Sequence, residues 1–241
     1  MMILTAHQPV YLPWLGLFHK IALADAFCYF DDVQYQNKDF NNRNRIKGPN
    51  GPFWLTVPVK SKGHYQIKVK DAEIIDNDAW RKKHWKSILS CYRQAPFFSR
   101  YADYFENVYQ QDWQRLSDLN EHLLKYFLQE LGIRVTYFKM SELKIEGHKS
   151  DLVLDMCLNL NASAYIFGAL GRDYADIPNF KTNGVRTYIQ DYRHPEYPQL
   201  FEKFESHLSI IDLFFNCGPD SLDILMSGNI TRDQLNPQTF R

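Results

Sequence analysis

The chain lacks the compact motifs that mark several large enzyme classes: no GxSxG, HExxH, Walker A or GxGxxG pattern occurs in its 241 residues. A serine-hydrolase elbow, a zincin-type protease, a P-loop nucleotidase and a dinucleotide-binding turn therefore have no basis here. Cysteine is sparse and scattered. Cys28, Cys91, Cys157 and Cys217 form no CxxC pair and have no histidine at zinc-ligand spacing, so no metal site is expected. None sits in an activating context for a nucleophile, and the four read as buried thiols in a reducing compartment. An excess of one charge is missing too: 28 Lys and Arg balance 28 Asp and Glu. No global field then favours nucleic acid or an anionic membrane, and any anion site has to be local. Apolar runs stay far below the roughly 18 residues of a membrane span, and residues 1–5 are too short an apolar stretch for a secretory signal. The expectation is a cytoplasmic protein without membrane insertion. Internal repeats and low-complexity tracts are absent.

Aromatic residues are abundant, at 15% of the chain. Tyr and Trp carry a polar handle that needs a partner when buried, so part of this excess is expected to line a ligand cleft.

The first thirty residues set the architecture. An apolar run at 2–6 ends at His7, 14–23 repeats apolar residues at helical spacing, and 26–30 is apolar again. Strand, helix and strand at this spacing form a βαβ unit, whose strands run parallel. Further strands are expected at 53–59, 135–138, 164–167 and 186–189, with a short edge strand at 66–69 after a turn at 62–64. Helical periodicity marks 78–131, divided by Pro96, then 151–160 and 204–225. The fold class is α/β: a mostly parallel, open, Rossmann-like sheet with helices on both faces. It forms a single domain over 1–241, with 78–131 as a helical insertion or layer and 228–241 as a loosely held tail.

In such sheets ligands sit outside the carboxyl ends of the strands. That rim receives His7-Gln8 after the first strand and Asp31-Asp32 after the second. His7 is a candidate base or positioning group, because imidazole titrates near neutral pH; the alternative is a capping histidine. Asp31 and Asp32 hold a hydroxyl-rich substrate, bind a metal or orient a base, or else cap the next turn. In 41–47, Asn42, Arg43 and Arg45 combine amides with planar guanidinium forks suited to phosphate or carboxylate, and Lys60 is placed to join them; a solvated basic loop is the alternative. The late turn from Gly168 to Tyr174 offers glycines that let backbone approach an anion, or is an ordinary turn. In 194–199, two prolines hold a chain from which His194, Tyr197 and Gln199 project. Ser209, Asp212 and Asn216 make a polar stripe in an apolar helix, to be satisfied by loop backbone or by ligand, with loop anchoring favoured.

These stretches carry a resemblance. HQPVYLPWLG, DDVQYQ followed by NRNRI, LTVPV, YIFGALGRDY and HPEYPQL with FESHLSIIDLFFNCG resemble the WbqC-like proteins from end to end. The resemblance implies a place in bacterial O-antigen and surface-polysaccharide synthesis, with a glycine or acyl transferase role toward an amino sugar. Its motif positions are His7, Gln8, Asp31, Gln34, Arg43, Arg45, His194, Tyr197, Gln199, Ser209, Asp212 and Asn216. The expected activity is therefore acyl or aminoacyl transfer to a nucleotide-linked amino sugar. His7, His194 and Asp31 would serve as catalytic groups, the partners being a nucleotide sugar and an activated acyl donor, with cofactor and oligomeric state left open. A non-catalytic nucleotide-sugar-binding protein is the alternative. The opening also resembles nucleotidylyltransferase-type folds, but Trp14-Leu15-Gly16 stands where those carry a second histidine.

Overall fold

The computed structural model describes residues 2–60, 67–75, 77–235 and 239. Five strands form one sheet: β1 (Ile3–His7), β2 (Ala26–Tyr29), β5 (Thr136–Lys139), β6 (Ala164–Phe167) and β7 (Arg186–Ile189). Its order is β5-β2-β1-β6-β7, and every pairing is parallel. The inner strands β2 and β6 are buried along their whole length and the edge strands are not, as a sheet covered on both faces requires. The chain builds outward from β1 through β2 to β5, then crosses back to place β6 on the other side of β1. The strand order therefore reverses between β1 and β6.

Helices cover both faces. Thr5, His7, Phe27 and Tyr29 share the face packed by α1 (Leu15–Ala22), α4 (Leu116–Glu130) and α8 (Ile210–Cys217). Leu4, Ala6, Cys28, Tyr165 and Phe167 point the other way, toward α5 (Ser150–Asn159) and α7 (Ile177–Thr182), with the short α6 (Gly171–Tyr174) between β6 and α7. The layer expected at 78–131 is α2 (Ala79–Tyr92), α3 (Phe98–Gln110) and α4, with Pro96 in the first break. Gly132 follows α4 at φ 66°, the left-handed position that ends a helix without a Cβ clash.

Three local expectations change. The basic stretch after Asn42 is a strand, β3 (Arg43–Gly48), paired antiparallel with β4 (Gly51–Thr56) in a hairpin outside the main sheet. Asn44 and Ile46 are buried on one face and Arg43 and Arg45 half-exposed on the other, a period-2 pattern hidden by its polarity, which ends at the buried Lys47. The helix expected from 204 begins only at Ile210, because His207 is left-handed (φ 58°) and Ser209 accepts from the Ile211 amide as N-cap. Gly218 at φ 54° and Pro219 then divide it from α9 (Ser221–Met226). At 66–69, Lys68 makes one bridge to Gln34 and Val69–Asp71 is a 3-10 turn; residue 66 and the turn at 62–64 lie outside the described residues. In 228–241, Ile230 accepts from His19 and Arg232 pairs with Asp25 at 2.9 Å.

Much of the aromatic excess goes into the core, where Tyr92, Phe98, Phe105, Phe127, Phe214 and Phe215 interlock through ring contacts. All four cysteines are buried free thiols. Among the described residues no helix is long and apolar enough to cross a membrane, and no cluster of His, Cys, Asp or Glu could hold a metal.

Candidate functional site

His7 closes β1 at the carboxyl edge of the sheet, beside the reversal in strand order. Its Nδ1 lies 2.9 Å from the Gln8 carbonyl, which can only accept, so Nδ1 holds the proton and Nε2 carries the lone pair, which meets no hydrogen-bond donor among the described residues. Burial, then the neighbouring Lys20 ammonium, push the imidazole down to about 4. It is neutral at pH 7. Lys20 comes from the last turn of α1 and is only 4% exposed. Its Nζ donates to the Ala6 carbonyl at 2.9 Å, and burial lowers it to about 7. Gly168, at the end of β6, stands against the same ammonium: a Cβ there would lie 3.8 Å from Nζ. His7, Lys20 and Gly168 thus come together from β1, α1 and β6.

The aspartate pair divides between two tasks. Asp31 is buried, and its two oxygens accept from the Ser141 amide at 2.9 Å and the Ser141 hydroxyl at 2.6 Å, tying the end of β2 to the end of β5. Asp32 holds Lys68 at 2.9 Å and Lys70 at 2.6 Å. The amides of 41–44 bind the proline-rich loop after β1: Asn41 Nδ2 donates to Pro9 O and Asn44 Nδ2 to Leu12 O, both at 2.7 Å. Leu12 sits at φ 45°, a left-handed strain of roughly 1–2 kcal/mol for a non-glycine residue, and the Asn44 bond helps hold it. The amides of 41–44 thus clamp the loop that follows His7. Asn42 donates to Val57 O at 2.7 Å.

Arg43 and Arg45 share the outer face of β3, over the half-exposed Trp54 ring at 4.3 and 5.9 Å. Arg43 also donates to Lys38 O, and its Nε is buried without a partner. Lys60 pairs with Glu73 at 2.9 Å, both more than half exposed. Gln34 bridges to Lys68, and Tyr174 stands edge-on to Phe167 at 5.9 Å.

The groups around Asp212 form a satisfied network. Asp212, fully buried on α8, accepts from Tyr92 Oη (2.8 Å), Tyr197 Oη (3.0 Å) and Gln199 Nε2 (2.8 Å). Burial raises its carboxyl to about 6 against these donors and Lys47. Asn216 accepts from the Leu200 amide and donates to the Asp212 carbonyl. Lys47 donates to Gln199 Oε1 and Phe201 O, both at 3.1 Å. The polar stripe thus binds the loop before α8. His194 hydrogen-bonds Pro195 O through Nδ1, leaves Nε2 buried without a partner, and contacts Tyr192, Tyr197 and His207.

Among the described residues no hydrogen bond or ring contact joins His7 to Asp31, His194, Arg43 or Arg45. The link to the hairpin runs through Gln8, whose Oε1 accepts from Asn41 at 3.4 Å. Sequence reasoning missed Lys20, although a lysine inside an eight-residue apolar helix directly after the first strand is a usable signal. It missed Lys47, Tyr92 and Ser141 as well, whose partners are remote in the chain.

Comparison with known proteins agrees with the motifs. Residues 8–224 match the model of the WbqC-like protein family. The chain is also 35% identical over 220 residues to the uncharacterized protein Rv1507c of Mycobacterium tuberculosis, covering 90% of this chain and 95% of that protein. No solved structure matches. With nearly its whole length inside the family match, the chain belongs to the WbqC-like protein family.

Proposed function

We propose that the chain is an acyl or aminoacyl transferase acting in the cytoplasm on a nucleotide-linked amino sugar destined for bacterial surface polysaccharide. The observation that carries this reading is the neutral His7 imidazole, with its bare Nε2 at the carboxyl edge of a parallel sheet beside a reversal in strand order. An amine acceptor attacking an activated acyl carbon forms the new C–N bond, expels the donor's leaving group and must lose one proton. His7 Nε2 accepts the amine N–H in the ground state and takes that proton as positive charge builds on nitrogen. The hairpin guanidiniums of Arg43 and Arg45 give the substrate a second, cationic contact.

A second reading, nucleotide-sugar binding without turnover, draws on the same imidazole. A group held at about 4 is a weak base at pH 7, since general bases work best near the operating pH. Mass spectrometry separates the two. Incubation with a panel of nucleotide amino sugars and acyl donors yields an acylated sugar under the first reading. Thermal stabilisation by the nucleotide sugar with no mass change supports the second.

A further inference from the structure

We infer that Lys20, under the open backbone of Gly168, is a seat for a diphosphate at the junction of β1 and β6. Three observations converge. Lys20 is almost fully buried and has no carboxylate partner among the described residues; its Nζ makes one hydrogen bond, to Ala6 O, although an ammonium has three donors. An unpaired buried cation is costly, and its retention is accounted for by an anion that arrives from outside.

The groups around it do not supply that anion. His7 on β1 is neutral. His19, next along α1, is paired with Gln190 through Nδ1 and with Ile230 O through Nε2, and Asp191 beyond β7 pairs with Arg172.

Gly168 gives the third observation. Its φ is outside the left-handed region, so the backbone does not demand glycine, and the nearest atom an added Cβ would meet is Lys20 Nζ at 3.8 Å. Glycine here leaves the ammonium one atom layer beneath a half-buried surface, open to close approach by an oxyanion. A compact ammonium recognises phosphate as a point charge, and this edge of an open parallel sheet is where ligands sit. His7 Nε2 then faces the same ligand from the end of β1.

The inference rests on the proposed function only for the choice of a nucleotide diphosphate, and its test is independent of turnover. UDP and inorganic pyrophosphate are titrated calorimetrically into the full chain at pH 6.5 and 8.5, in buffers of differing ionisation enthalpy. Expected are binding with proton uptake at the higher pH, and affinity at least about 10-fold weaker at pH 8.5 than at 6.5. Lys20→Met is expected to weaken binding at least 30-fold, abolish the proton uptake and leave the melting temperature unchanged or higher. Gly168→Ala, which fits the fold, is expected to weaken binding about 5-fold or more. Because Lys20→Met alters the core, lysine side-chain NMR on the wild type provides a second measurement: the Lys20 titration should rise by more than one pH unit on adding pyrophosphate. Failure of both anions to bind, unchanged binding in Lys20→Met, or a Lys20 titration that pyrophosphate does not move would overturn the seat. Acetate binding as tightly as pyrophosphate would overturn the diphosphate assignment. Intact, Lys20-dependent UDP binding with no acylated product in any transfer assay would instead overturn the transferase reading alone.

Discussion

The junction of β1 and β6 and the loop network behind α8 are both buried and polar, yet they are built on opposite rules. Around Asp212 the polar groups meet: two tyrosines and a glutamine donate to one carboxylate, and Asn216 and Lys47 bind the neighbouring backbone. At the junction, among the described residues, Lys20 makes one hydrogen bond with its three donors and His7 Nε2 makes none. Full satisfaction is the mark of a structural network, since each unmade buried bond is costly. Polar groups left unpaired call for a physical account, and at the junction the proposed ligand would supply it. The difference sets residues that tie this fold together apart from the groups that the proposed function and anion seat would use.

Four substitutions, in order of decreasing consequence, can break this contrast. Asp212→Ala leaves Tyr92, Tyr197 and Gln199 without their acceptor and should cost about 3–5 kcal/mol in urea unfolding. His7→Gln should reduce transfer by about a hundredfold while shifting the unfolding midpoint little; unchanged turnover in a folded variant would remove His7 from the mechanism. Asn44→Ala, which takes the donor from Leu12 O, should cost about 1–3 kcal/mol and loosen the loop after His7, visible as faster amide exchange at residues 10–12. Lys60→Ala, removing half of an exposed pair, should change stability by no more than about 0.5 kcal/mol.

The pH dependence sharpens the comparison because the two regions respond with opposite sign. His7 is held at about 4, below the unfolded value of 6.5, so the folded state binds fewer protons between those limits and stability falls as pH drops through that window. Asp212 is held at about 6, above the unfolded 3.8, so the folded state binds more protons and stability rises as pH falls from 6 toward 3.8. Comparing wild type with each variant between pH 4.5 and 7.5, His7→Gln should flatten the acid loss, whereas Asp212→Asn should deepen it. Equal slopes in all three proteins would contradict both assignments.

Much of the frame was legible in the residues. The strands at 164–167 and 186–189 match their expected limits, and β1, α1 and β2 lie within a residue or so of theirs. Of the candidate site, the position of His7 at the carboxyl end of β1 was legible, but Asp31 meets Ser141 across 110 residues, a pairing no local pattern announces. β3 was read as a loop because its alternation is written in Asn, Arg and Lys rather than in aliphatic residues.

What the sequence determined by itself is the parallel sheet and its helical layers, since hydrophobic periodicity acts over a few residues and needs no knowledge of distant partners. Which polar groups are satisfied was settled by the packing of remote segments. Asn44 finds Leu12 O 32 positions away and Lys47 finds Gln199 152 positions away, while Lys20 reaches Ala6 O and, among the described residues, finds no acid. Directional bonds between remote segments depend on where the backbone carries each group, and that position is set by the packed fold as a whole.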